Sequence, residues 1–362
     1  MDNHFRHSRP LNRKMKRTLI IAAAILALAS CTKVDKAQEE DSLLTFKVLG
    51  YLQQTKANTP YTGSAFGTFA YWTATDWATD GDAFVYMNND RVVQSPSYAQ
   101  EGEWGPESQR YWPKTGKLSF ASYSPYTDGA AHGFSAVPGF SKASGFVFAD
   151  FTIGAGTDVD LMVADFNADQ TKNNPEYMLS GNTDGVPTLF RHVLSQIAFK
   201  FRTLENPNPN VEKSEIVIKR VVISGIYNSA TYTQNNTPVW AGQSGNASYE
   251  YNPATGHDVV VVAGEEPAGC EVASRILMPQ RLTAGTQTLE LDYTVRTKYF
   301  SSPDWAEESV TAVKDLLTGE VPSWDPNINL VYTITINPIS TESILFDPAV
   351  AEWISTSGSL EI

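Results

Sequence analysis

Ser195-Gln196-Ile197-Ala198-Phe199-Lys200-Phe201 sets Ile197, Phe199 and Phe201 on one side of the chain and Gln196, Ala198 and Lys200 on the other. A period of two is that of a half-buried β-strand, because successive side chains leave a strand on opposite faces. Working outward, Lys117 to Tyr123 alternates in the same way. Thr45-Phe46-Lys47-Val48, Ile216 to Ile223, Val259 to Val262, Thr288 to Val295 and Val331 to Ile336 also read as strands. Turn signals separate them: Asn58-Thr59-Pro60, Thr127-Asp128-Gly129, Asn206-Pro207-Asn208-Pro209, Asn252-Pro253 and Ala284-Gly285. Helical periodicity is weak: only Asp304 to Leu317, which Pro303-Asp304 would open, could carry three or four helical turns. Many short strands with frequent aromatics predict an all-β protein built of β-sandwiches. No repeat of solenoid or propeller length is present.

The polar, Asn-rich stretch Asn167 to Asp184 reads as a loop, so a domain boundary is expected near Gly185-Val186-Pro187. This divides the chain into a segment 1–30, a tether 31–42, an N-terminal domain 43–187 and a C-terminal domain 188–362. The tether is charged and lacks large apolar groups, which predicts disorder.

Segment 1–30 is an address. Arg13, Lys14, Lys16 and Arg17 precede an apolar run from Leu19 to Leu28. A run of about ten residues is short of the ~20 that span a bilayer but suits a signal peptide. Met15 reads as the better start. Leu28-Ala29-Ser30-Cys31 resembles a bacterial lipobox, in which the cysteine is acylated and becomes the mature N-terminus. Each buried methylene of an acyl chain adds ~0.8 kcal/mol, so a multiply acylated Cys31 is a firm anchor. The leader carries six of the 27 Lys/Arg and one of the 40 Asp/Glu, leaving 21 positive and 39 negative groups, a net of −18. Such a surface repels phosphate backbones and anionic lipid, which excludes nucleic acid as a partner. Cys270 is then the one free thiol, so neither an intramolecular disulfide nor a cysteine metal cluster can form.

Chemistry is sparse. The mature chain keeps His132, His192 and His257, with no His-x-x-x-His spacing. His192 reads as structural, and the other two as solvated. Gly242-Gln243-Ser244-Gly245 is not a nucleophile elbow, and no phosphate loop or dinucleotide fingerprint occurs. Asp158, Asp160 and Asp165 suggest a calcium loop, but its central glycine and distal glutamate are missing. No cofactor, metal or catalytic activity is expected. Trp72, Trp77, Trp104, Tyr111 and Trp112 concentrate in the first half. Exposed tryptophans stack on sugars, so a surface glycan-binding lipoprotein that does not polymerise is the alternative to core packing of these rings.

Several blocks, in order along the chain, resemble the fimbrillin (FimA/Mfa-like) family of type V pilus subunits of Bacteroidales-type bacteria. They are Tyr111-Trp112-Pro113 with Leu118 to Pro125, Asp160 to Ala164, Arg191 to Phe199, Leu277-Met278-Pro279-Gln280, Trp324 to Ile336, and Ile344 to Trp353. The resemblance implies two transthyretin-like β-sandwich domains in tandem and a lipoprotein carried to the outer membrane and the cell surface. It also implies a fimbrium assembled with other pilus subunits, in contact with host or bacterial surface ligands. In the family a protease removes the first strand and a neighbour's strand fills the furrow left behind.

Here the removable segment would be Leu43 to Gln54, and the tripeptide matching the family's cut is Thr55-Lys56-Ala57. No arginine lies between Cys31 and Asp90, which departs from the family's Arg-directed cut. Two outcomes stay open. Either a lysine-directed or trypsin-like protease cuts at Lys56 and leaves Ala57 as the new terminus, or the strand stays and the lipid-bound subunit anchors a pilus base. Ile344, Leu345, Phe346 and Trp353 are candidates for the donor strand, or for the last ordinary strand of the second domain. Ser42, in Asp41-Ser42-Leu43, sits in a tripeptide that this bacterial group glycosylates.

Overall fold

The computed structural model describes residues 43–52, 57–59, 61–154, 159–172, 185–234, 238–251, 258–264, 274–339 and 344–351. Among them there is no helix: all 24 regular elements are strands. The first sheet holds β1 (Phe46–Leu52), β2 (Ala57–Thr59), β3 (Ala65–Thr73), β4 (Phe84–Gln94), β5 (Trp104–Pro106) and β6 (Lys117–Ser124). It also holds β9 (Met162–Ala164), β10 (Asn167–Gln170) and β11 (Val186–His192). The path β6-β3-β4-β5-β1-β11-β9 returns from β9 to β6, so the sheet curls into a closed barrel. Closure removes raw edges and encloses one core, as alternation along each strand requires.

The second half packs two sheets face to face. One is β18 (Arg275–Leu277), β12 (Ser195–Thr203), β23 (Ile328–Ile336) and β24 (Ile344–Ala351). The other is β16 (Ala247–Tyr251), β13 (Val211–Ile226), β20 (Thr288–Tyr299) and β21 (Trp305–Asp315), with β17 (Val259–Val262) also on β13. β19 (Gln280–Arg281) and β22 (Ser323–Trp324) form a separate small antiparallel pair. The opening heptad lies on β12, and Ile197, Phe199 and Phe201 are fully buried.

A third sheet crosses between the halves. The hairpin of β7 (Gly139–Ser141) and β8 (Gly145–Thr152) pairs through β8 with β14 (Ser229–Gln234), which pairs with β15 (Pro238–Ser244). Its inner face is a chain of rings: Tyr123 and Phe134 touch Phe148, which stacks on Tyr232 with centroids 5.4 Å apart. One apolar core therefore runs from Phe69 and Tyr123 in the first half to Phe199 and Tyr332 in the second. The position 187/188 falls inside β11, whose partners β1 and β9 both belong to the barrel; pairing passes to the second half between His192 and Ser195.

The one candidate helix, Asp304 to Leu317, is a strand. β21 runs antiparallel to β20 from Lys298↔Trp305 to Thr288↔Asp315. Val310, Thr311 and Val313 are β-branched and favour extended backbone. Arg296 on β20 holds the segment down, with its guanidinium 4.7 Å over the Trp305 ring and 2.9 Å from the Glu307 carboxylate. Pro303 lies in the turn between the two strands rather than at a helix start.

Candidate functional site: the leading strand and its furrow

β1 is built from alternation. Leu44 and Phe46 point into the barrel with 0% and 4% exposure, and half-buried Val48 packs on the same core. The Phe46 ring meets Phe66 and Phe120 edge-on, with centroids at 5.6 and 5.8 Å. Around them Phe66, Phe190, Tyr61 and Trp104 pack against one another at 4.9 to 5.7 Å. Beneath the first strand lies a floor of aromatic faces.

The two flanks of β1 differ. On one side it runs parallel to β11 from Phe46↔Val186 to Tyr51↔Arg191, continued by Val186 N–H donating to the Thr45 carbonyl at 2.8 Å. On the other it meets β5 at a single pair, Phe46↔Trp104, and the short β2 at Gly50↔Thr59 to Leu52↔Ala57. At its start, Leu44 N–H donates to the Arg110 carbonyl at 2.9 Å and Leu43 bridges Tyr111. Among the described residues β2 has no partner strand but β1. Release of β1 would free β2 as well, and Ala57 is the first residue of β2.

Gly185 sets how closely β11 approaches. Its φ is +110°, a region L side chains rarely enter, and a Cβ there would lie 2.9 Å from the Phe46 carbonyl carbon and 3.0 Å from the Lys47 nitrogen. Both are backbone atoms and cannot swing aside. Gly185→Ala is therefore expected to destabilise the chain by about 1–3 kcal/mol. Measured checks are a lower urea midpoint and faster tryptic cutting at Lys56. An unchanged midpoint would mean that β11 can back away freely.

The residues singled out in the sequence fall in separate places. Lys56, Cys31, Trp353, Ser42, Asp158, His257 and Cys270 lie outside the described residues. Ile344, Leu345 and Phe346 open β24, which pairs antiparallel with β23 from Ile336↔Ile344 to Asn329↔Ala351 and forms the edge of its sheet. Ile344 is buried and Phe346 packs edge-on to Tyr332, while Leu345 is 63% exposed. Pro348, which has no N–H, suits an edge strand.

Asp160 accepts or shares a hydrogen bond with buried His192 at 2.7 Å, and Asp165 makes a two-pronged pair with Arg191 at 2.6 and 2.8 Å. Both carboxylates thus hold β11 to the β9 region, and among the described residues no group of three His, Cys, Asp or Glu is placed to hold a metal. His192 and Asp160 were separate marks in the sequence, and only the β9–β11 register joins them. Of the tryptophans, Trp104 and Trp112 pack on core rings, and Trp72 N–H donates to the Thr115 carbonyl. Trp77 packs on Tyr71, Phe140 and Phe166, which lie against the larger core.

A family model described as Fimbrillin-like matches residues 55–353. The chain belongs to the fimbrillin-like family. It is a structural protein of that family and not an enzyme. Among solved structures, this fimbrillin-like fold is shared with a fimbrial protein from Bacteroides vulgatus ATCC 8482, at 20% identity and a TM-score of 0.58. That match covers 86% of this chain and all of the other. A candidate cell adhesion protein from Bacteroides uniformis ATCC 8492 matches at 17% identity and a TM-score of 0.46, over 87% of this chain and 99% of that one. Comparison with curated proteins gives no match.

Proposed function

We propose that this fimbrillin-like chain is a structural and adhesive subunit of a cell-surface fimbrium, exported as an outer-membrane lipoprotein through Cys31 and joined to other subunits by strand exchange at the β1 furrow. The observation that carries the reading is the lopsided seating of β1. Leu44 and Phe46 fill an aromatic furrow, yet the strand is laced along its length on the β11 side alone. A strand so placed has one continuous ladder to break, against β11, and its release takes β2 with it and leaves an apolar slot lined by unpaired backbone groups. A neighbour's strand satisfies both together.

β24 has the right sequence to be such a donor. Ile344 and Phe346 face the second core two residues apart, as Leu44 and Phe46 face the first. The remaining residues through Trp353 would add a further large apolar side chain. The acceptor furrow lies in the first half of the chain and the candidate donor strand β24 in the second.

The N-terminal residue of protein recovered from cells tests this. Ala57 is expected for polymerised subunits, with Lys56→Gln blocking the cut and keeping acylated Cys31. Acylated Cys31 on protein seated in a pilus identifies a base anchor of the same design. Uncut protein that is always monomeric would overturn the reading.

A further inference from the structure

Where the crossing sheet meets the barrel there is a cavity of about 160 Å³ that the strand-exchange reading does not use. Trp77, Phe140 and Phe166 wall it. Phe140 and Phe166 stack with centroids 5.7 Å apart and planes 18° apart, and Trp77 leans on Phe166 at 5.0 Å. The Trp77 loop is fixed by its own N–H donating to the Asp169 carboxylate at 2.6 Å.

Two polar side chains enter the same lining. Lys142 sits with its ammonium 4.8 Å over the Trp77 ring and donates to the Asp80 carbonyl, which leaves further N–H groups available. Gln234 accepts from the Tyr232 hydroxyl at 2.5 Å through Oε1, and among the described residues its amide N–H groups have no hydrogen-bond partner. Four of the other lining residues are alanine or glycine, which leaves the space open.

We infer that this cavity binds one uncharged pyranose ring of a glycan. An apolar cavity of about 150 Å³ holds a benzene-sized ring, so a pyranose, with about twice as many heavy atoms, would seat its C–H face in this half-open cavity and leave part of its hydroxyl rim at the mouth. A pyranose has an apolar C–H face and a polar rim. It needs aromatic walls for the first and a few placed donors for the second, the combination seen here. The one charged side chain in the lining, Lys142, is already engaged by the Trp77 ring and the Asp80 carbonyl, and an acidic sugar would also meet the net of −18 that the chain carries beyond the leader, which favours an uncharged ring. None of these residues belongs to β1 or β24, so the inference stands or falls apart from strand exchange.

The test uses the uncut chain downstream of Cys31 and methyl glycosides of glucose, galactose and mannose, with glucuronic acid and indole as comparators. Ligand-observed saturation-transfer NMR is expected to show saturable binding of at least one neutral glycoside. Trp77→Ala and Gln234→Leu should each weaken it by about tenfold or more, with the β-sheet circular dichroism unchanged. Should Trp77→Ala fail to fold, Lys142→Met, which removes only the rim ammonium, takes its place and should weaken binding. Absence of saturable binding by every neutral glycoside overturns the assignment. So does equal binding by the variants, tighter binding of glucuronic acid, or binding of indole alone.

Discussion

A chain beginning at Ala57 is expected to lose its folded monomer and to recover it when a peptide spanning residues 43–52 is supplied in trans. Leu44 and Phe46 are wholly buried, and burying such side chains stabilises by about 1.5–3 kcal/mol each. The ladder along Val186 to Arg191 loses its partner at the same time, at about 0.5–1.5 kcal/mol per hydrogen bond. Against a total stability of about 5–15 kcal/mol the loss is large. The exposed floor of Phe66, Phe120 and Phe190 then drives association. Size-exclusion chromatography and native mass spectrometry are expected to find oligomers or aggregates of the shortened chain. They should find monomer once the peptide is added, and no rescue by a Phe46→Asp peptide. A shortened chain as stable and monomeric as the parent would remove the furrow as the seat of assembly.

β6, buried on both faces, and the all-valine β17 were legible from their strand-forming residues, while β12 and β20 were legible because a core on one face imposes the alternation. β21 was misread for the same reason in reverse. It is an edge strand with most side chains exposed, so apolar contrast between its faces is missing. Glu, Ala and Lys on a solvated strand then imitate a helix, and Pro303-Asp304 imitates a helix start.

Gly185-Val186-Pro187 follows the Asn-rich stretch at the start of β11. The glycine serves close approach to β1, and Pro187 pairs with Lys47 on a strand whose other flank gains a partner only from Phe190 onward. The crossing sheet and the cavity beside it had no local mark at all, because β8 and β14 are remote in sequence and their pairing is set by tertiary packing. Trp77 was visible as an aromatic, but the rings beside it were not visible as its neighbours.

Steep alkaline unfolding is the other large effect expected, and it follows from how the cores use tyrosine. Tyr61, Tyr123, Tyr232 and Tyr332 are phenols whose ionisation burial pushes up, Tyr332 to about 12. In the unfolded chain a phenol releases its proton near pH 10. Above that pH the unfolded state binds fewer protons than the fold, so stability falls as pH rises, whereas below it the four groups contribute fully and the curve is flat. Each group contributes a slope of about 1.4 kcal/mol per pH unit, and four together about 5–6. A stability of about 5–15 kcal/mol is then exhausted within about two units. Far-UV circular dichroism and tyrosinate absorbance should change together before pH ~12. Tyr332→Phe, which keeps the stack on Phe199 at 5.5 Å and removes the ionisable hydroxyl, should move the midpoint upward at the expense of the Trp324 Nε1 hydrogen bond of 3.0 Å. If these phenols titrated near pH 10 with the sheet signal intact, their hydroxyls would have to reach water through openings that the packed cores do not leave.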